Sequence, residues 1–448
     1  MKERTPYLQQ LSESLRIVVI ALLVLLMLIP LMMVYNIVNE RGARQQTILA
    51  DIASTWGQYQ ILNGPILVIP YVDHLINMDT VTDKNGETKT VTQDVFKDRT
   101  AIILPSNLNI NVNLREEARH RGIYKTQVYT ADINLNGHFD YASLINEQNQ
   151  RRRYQWDKAR LLIGLSDTKA ITENSQLIWN DKQIALTPGT RLSTLIPSGF
   201  SAPLKALALD ELNSQHSFKL QLNIKGNQGF QFTPLGKTTQ VHITSTWPHP
   251  SFQGNLLPTE YEVTQEGFSA KWNIPHLARS YPQQWIMQDE NYALNELVAG
   301  VDLFEPVSLY SKTSRAVKYG IMFIVMTFLS LLIFEIVSRT RLHLLQYMVI
   351  GVALSLFYLI LLSLAEHIRF LYAYLAASSV TIITISLYAL AVLKAKWHSL
   401  MMLVLLASLY SVLYLLLQME DYALLFGSMV LLLTITTVMY VTRNLQHK

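Results

Sequence analysis

The apolar residues of this chain fall into one run near the N-terminus, a mostly polar stretch over 39–316, and then five runs almost end to end. A hydrocarbon core of ~30 Å is crossed by about 20 helical residues. Residues 17–38 meet that length, with Pro30 inside as a kink that lipid-embedded helices tolerate. The other spans read as 317–337, 345–364, 370–393, 400–417 and 422–441. The pattern predicts an α-helical membrane protein of six transmembrane helices, with a large β-rich (α+β) domain inserted between helices 1 and 2.

Basic residues in short loops orient such a bundle. With the N-terminus inside, that face holds Lys2, Arg4, Arg16, Arg339, Arg341, Lys394, Lys396, Arg443 and Lys448. The short loops opposite hold Arg369 beside Glu366, Glu420 and Asp421. Nine basic residues against one predict both termini in the cytoplasm and the large domain in the periplasm. Five segments follow: a cytoplasmic 1–16, an uncleaved signal anchor 17–38, a periplasmic 39–316, a five-helix bundle 317–441 and a cytoplasmic 442–448. After the anchor, Asn39-Glu40-Arg41-Gly42-Ala43-Arg44 is charged and unlike a small-residue cleavage site.

Between 39 and 317 there are 26 Lys+Arg and 27 Asp+Glu, a net of −1, so the positive charge of the chain resides in the remaining, membrane part, at a net of +5. That charge reports orientation, and nucleic acid is not expected as a partner. Cysteine is absent, which excludes thiolate metal sites and thiol catalysis and leaves the large domain to stand on its core.

Ile48, Ile52, Trp56 and Tyr59 recur at helical spacing and predict a short amphipathic helix ended by Asn63-Gly64. From there the pattern is β. Residues 65–71 read as a buried strand, and 80–83 and 88–92 flank Asn85-Gly86, a strong hairpin signal. Over 107–114 asparagine alternates with Leu, Ile and Val, as in a half-buried strand with one wet face. Residues 127–139, 161–166, 218–225, 240–246, 261–265 and 268–274 are similar. The expectation is an antiparallel, sandwich-like domain.

Catalytic signatures are missing: there is no Gly-x-Ser-x-Gly elbow, Walker loop, His-Glu-x-x-His helix or dinucleotide fingerprint. His74, His120, His138, His216, His242, His249 and His276 do not fall at zinc spacing. No cofactor and no metal are expected. Residues 247–252, Trp-Pro-His-Pro-Ser-Phe, are the densest aromatic and proline cluster, with prolines fixing an extended turn. They form a rigid corner with Trp247 and Phe252 in the core, or a recognition loop in which Trp247, His249 and Phe252 meet a partner. Arg151-Arg152-Arg153, followed by Tyr154 and Trp156, reads as a solvated loop or a contact for anionic lipid or polymer.

Ionisable residues inside membrane helices are costly and so draw attention. Glu335 lies about a turn from the cytoplasmic end of its span, near Arg339, Arg341 and His343. It reads as an interfacial salt bridge or as a proton- or ligand-binding carboxylate. Glu366 and His367 lie at the far end of the next span, ~30 Å away at 1.5 Å per residue, which opposes one shared centre. Small residues predict close helix contacts: Ala373, Ala377, Thr381 and Thr384 on one face, and Gly351 with Ser355 on another.

Motifs along nearly the whole length resemble the CreD family of bacterial inner-membrane proteins. They include Asn63-Gly64-Pro65 with Ile66-Leu67-Val68-Ile69-Pro70, Arg121-Gly122-Ile123-Tyr124 with Val128-Tyr129, and 245–252. Glu266-Gly267-Phe268, Phe334-Glu335, Leu342-His343 with Gln346-Tyr347, Phe357-Tyr358-Leu359, Glu366-His367 and Thr442-Arg443-Asn444 continue it. Ala365 departs from the serine expected before Glu-His. The resemblance implies an inner-membrane protein of a two-component regulon that responds to envelope stress, and assigns no activity to particular residues. The expected function is therefore non-enzymatic, with the periplasmic domain binding an envelope protein, lipid or wall component and the bundle as its anchor. A transporter or lipid-handling protein using Glu335, Glu366 and His367 is the alternative, and a membrane hydrolase or transferase a third.

Overall fold

The computed structural model describes residues 16, 18–82, 88–141, 151–173, 175–204, 215–303, 309–338, 342–393 and 396–418, and single helical positions between 425 and 439. The chain divides into two compact units, Ile48–Pro306 and the remainder.

Among the described residues, five helices are long and apolar enough to cross a membrane, the first of them ending within the unit Ile48–Pro306. They are α1 (Val18–Trp56), α2 (Leu309–Ser338), α3 (Leu344–Ala365), α4 (Phe370–Leu393) and α5 (Lys396–Gln418). The expected span over 422–441 lies mostly outside the described residues, and those described within it are helical. Helix α2 starts eight residues before the expected 317, because apolar periodicity marks lipid contact and the helix extends beyond it. Helices α2, α3, α4 and α5 pack in sequence, and α5 returns to α2. Glycines let α1 approach. A Cβ on Gly351 would strike Met27, and one on Gly320 would strike Leu31 and Tyr358. Ala373, Ala377 and Thr381 are buried as expected, but Thr384 is exposed and Ile385 takes the next buried position.

The amphipathic stripe at 48–56 is no separate short helix: it is the end of α1, which stops at Trp56 and leaves Tyr59 outside. Asn63-Gly64 also does not terminate it. Those residues sit inside the strand Gln60–Thr82, where the ladder shifts register between Asn63 and Ile66. Gly64 has φ +127°, beside the carbonyl of Leu162, so a side chain there would be strained. The turn signal was real, and the fold spends it on a bulge.

Two sheets make up the second unit. One is built around Gln60–Thr82, which pairs with Thr88–Ile103 and Arg160–Leu165. Thr82 faces Thr88 in that pairing; the expected turn at Asn85-Gly86 lies outside the described residues. The other sheet runs in the order Glu260–Thr264, Gly267–Pro275, Thr238–Ser245, Asn107–Arg121, Tyr124–Asp140, Gln215–Asn227, Gln176–Trp179 and Lys182–Ile184. The sheets are mixed, not purely antiparallel. Gln60–Leu62 runs parallel to residues 230–232, and Thr238–Ser245 runs parallel to residues 107–114. Parallel pairs need long connections, which local alternation does not reveal.

A single apolar core joins the sheets. Strand alternation sends Leu108, Ile110, Val112 and Leu114 inward and their asparagine neighbours outward. Phe232 of the first sheet meets Trp272 of the second edge-on at 5.6 Å. The run at 151–153 does not stay a loop: Arg152–Tyr154 pairs with residues 71–73, while Tyr154 and Trp156 are buried in the core.

Candidate functional site

Glu335 ends up buried, 6% exposed, near the end of α2. Its partner is Arg16, with which it forms an ion pair. Tyr347, one turn into α3, donates its hydroxyl to Glu335 Oε2 at 3.1 Å. Arg16 Nη2 also donates to the carbonyl of Leu342 at 2.6 Å. The ends of two consecutive helices and the distant N-terminal segment thus meet at one carboxylate. A buried carboxylate needs this many donors, since desolvation is repaid only by good pairing.

Of the expected neighbours, only His343 falls among the described residues. Arg339 and Arg341 lie outside the described residues. His343 caps α3: its Nδ1 accepts from the backbone of Leu345 at 3.3 Å while Gln346 Oε1 accepts from the His343 N–H at 2.9 Å. That reciprocal cap starts α3 and so places Tyr347.

Glu366 follows α3 and is also largely buried. Tyr310 donates to its Oε1 at 3.0 Å, and Arg41 of α1 stands 3.9 Å from Oε2. From Tyr347 to Glu366 the helix rises about 28 Å. The two carboxylates therefore occupy opposite ends of the bundle, as the sequence expects, and each faces an arginine and a tyrosine. His367 is exposed and bonds locally, Nδ1 to the carbonyl of Ser363 at 2.9 Å. Among the described residues no three His, Asp or Glu side chains gather as a metal would need. Sequence reasoning missed Arg16, Arg41, Tyr310 and Tyr347 as partners of the two acids. Tyr347 belongs to the Gln346-Tyr347 motif, but nothing local in the sequence links any of the four to a glutamate.

The aromatic corner is tied to the second unit. The Trp247 indole N–H donates to the carbonyl of His249 at 3.0 Å, its backbone N–H to Ser245 Oγ at 3.2 Å, and the two rings meet edge-on. Phe252, on the strand Pro250–Gly254, packs against Tyr261, Phe268 and Trp272. Trp247 and Phe252 both lean on the core, and His249 is exposed.

Beside the end of α1, Trp56 lies between the Arg119 guanidinium at 4.0 Å and the Lys225 ammonium at 4.2 Å. Nearby, Tyr59 donates to Asp302 at 2.7 Å and Tyr129 to the carbonyl of Gly229 at 2.7 Å. Burial, then Asp302, pushes the Tyr59 phenol well above its ordinary range.

A unit of apolar helices joined to a two-sheet β-rich unit defines an integral membrane protein of bipartite build. The model of one family, described as inner membrane protein CreD, matches residues 12–448, and the chain belongs to that family. It is 31% identical over 422 residues to the inner membrane protein CreD of Escherichia coli K12, covering 94% of this chain and 91% of that one. Among solved structures, an M1 zinc metallopeptidase from Deinococcus radiodurans covers 38% of this chain and 38% of its own at 7% identity and a TM-score of 0.16. A second structure of that enzyme, with a bound peptide, gives 0.17 at 8% identity, over 38% of this chain and 39% of its own. Scores that low carry no structural argument.

Proposed function

We propose that this inner-membrane protein is a non-enzymatic component of an envelope-stress response under two-component control. Its β-rich unit, placed in the periplasm after the first of six membrane helices, binds a protein, lipid or wall component. Both termini are cytoplasmic in this reading, supported by the nine basic residues against one in the short loops.

The observation that carries it is the ion pair of Glu335 with Arg16, backed by Tyr347. A carboxylate engaged by a guanidinium and a phenol fastens helices, and is a poor carrier for protons or cargo. That favours the bundle as an anchor and leaves recognition to the other unit. There the Trp247–His249 corner offers a rigid, part-exposed aromatic face.

Photo-crosslinking in cells from positions 247 and 249 tests this reading. A defined adduct that is lost in Trp247→Ala, at unchanged membrane abundance, supports it. No adduct from correctly inserted protein, together with loss of function in Glu335→Gln at full abundance, overturns it.

A further inference from the structure

The outer face of the second sheet is paved with side-chain amides. Asn109, Asn111 and Asn113 stand opposite Asn136, Asn134 and Asp132 on the next strand. On their other flank stand Gln240, His242 and Thr244. All point away from the core, because the residues between them, such as Ile110, Val112, Ile133 and Val241, are buried. A wet sheet face is ordinary, but this composition is not. Asparagine is depleted in strands, and Lys, Glu or Thr would solvate the same positions at less cost to the sheet. Here the amides occupy the central strands.

Asn109, Asn111, Asn136, Gln240 and His242 line a groove of about 490 Å³ together with Asn273, Lys271 and Glu260, and Asn134 stands next to it, directly opposite Asn111 on the neighbouring strand. Lys271 and Glu260 face each other at 3.5 Å, so their charges offset within the groove. His242 bonds to Ser269 Oγ at 2.9 Å. Asn109 donates to Asn136 Oδ1 at 3.1 Å, while its own Oδ1 is buried and has no protein partner. The floor therefore presents paired donors and acceptors, rung after rung at the ~4.8 Å strand spacing, with almost no net charge. A charged polymer would find nothing to neutralise it. Water-like hydroxyls or amides in a row would match every rung.

We propose that this groove binds an uncharged sugar chain, lying across the strands and held by the side chains of Asn109, Asn111, Asn134, Asn136 and Gln240. An acetamido group carries the same donor–acceptor pair as the asparagine amide, so acetamido sugars fit best. The proposal rests on the β-rich unit being the ligand-binding part, but uses none of the residues of the 247–252 corner. Sugar titration therefore fails or succeeds independently of crosslinking from that corner.

The test uses the full chain in a detergent without sugar head groups. Saturation transfer from protein to ligand protons is measured for the N-acetylglucosamine tetramer, the glucose tetramer cellotetraose, and an anionic galacturonate tetramer. Transfer to the acetamido tetramer, matched or exceeded by neither of the others, is expected. Asn111→Ala with Asn134→Ala, both exposed positions, should weaken it about tenfold or more, while Gln183→Ala on the edge strand leaves it unchanged. Comparable transfer to cellotetraose keeps the neutral-chain proposal and removes the acetamido preference. No transfer to either neutral sugar from folded protein overturns the proposal. So does binding unaltered in the double variant, or tighter binding of the galacturonate.

Discussion

Arg16 and Glu335 form an ion pair between the N-terminal segment and the end of α2, buried enough that neither charge is solvated by bulk water alone. Removing one partner leaves the other charge stranded, which costs about 3–5 kcal/mol in a buried pair. Arg16 keeps 22% of its side chain exposed, so the lower end of that range applies. Arg16→Ala should lower the thermal unfolding midpoint and the membrane abundance sharply. Replacing both, as Arg16→Met with Glu335→Leu, should recover most of the loss. Full stability of the double variant with lost function would instead point to chemistry at the carboxylate.

The contact at the opposite end of the bundle is weaker, and the two can be ranked. Arg41 is 44% exposed and stands 3.9 Å from Glu366, so Arg41→Ala should cost less than about 1 kcal/mol. The Tyr310 hydroxyl is closer, at 3.0 Å, and Tyr310→Phe should cost about 1 kcal/mol. Thermal unfolding of the two variants should therefore place Tyr310→Phe at or below Arg41→Ala, although only the arginine removes a charge.

Trp56 is held between two cations on different strands. Each contact at such a part-exposed site contributes about 0.5–1 kcal/mol. Trp56→Leu keeps the apolar contact and loses both, so a loss of about 1–2 kcal/mol is expected. In a double-mutant cycle with Lys225→Met, the coupling should be about 0.5 kcal/mol or more. Zero coupling would show that the Lys225 contact contributes nothing, leaving Arg119 and the indole N–H bond to the Tyr129 carbonyl to hold the ring.

Much of this architecture is written in local periodicity. The span 370–393 coincides with α4, and the asparagine–aliphatic alternation over 107–114 places each side chain on the face it occupies. Both depend on neighbours within a few residues. The Glu335 partner does not. Local spacing offers Arg339, one helical turn away and outside the described residues, but gives no sign of Arg16, which arrives from the other side of the whole β-rich stretch. The parallel pairing of Thr238–Ser245 with residues 107–114 is hidden for the same reason. At 247–252 the prolines announce a rigid corner, but that Phe252 is spent on Trp272 and Phe268 depends on a strand that forms only in three dimensions.

Glu116, on the strand Asn107–Arg121, gives a pH signature of known sign. Burial raises its pKa from an ordinary 4.5, and Lys125 opposes that only in part. The folded state therefore holds the proton more tightly than the unfolded one. Between the ordinary and the raised value, folded molecules bind more protons, so stability falls as pH rises through that window and stays lower above it. Glu116→Gln keeps the shape and removes the charge. It should raise the unfolding midpoint at pH 7, and the gain should close as pH drops below about 4.5, where the native glutamate is neutral in both states. If Lys125 instead held the carboxylate in a net favourable pair, the same substitution would lower the midpoint at pH 7. The sign of that one difference separates a carboxylate penalised by burial from one stabilised by its lysine.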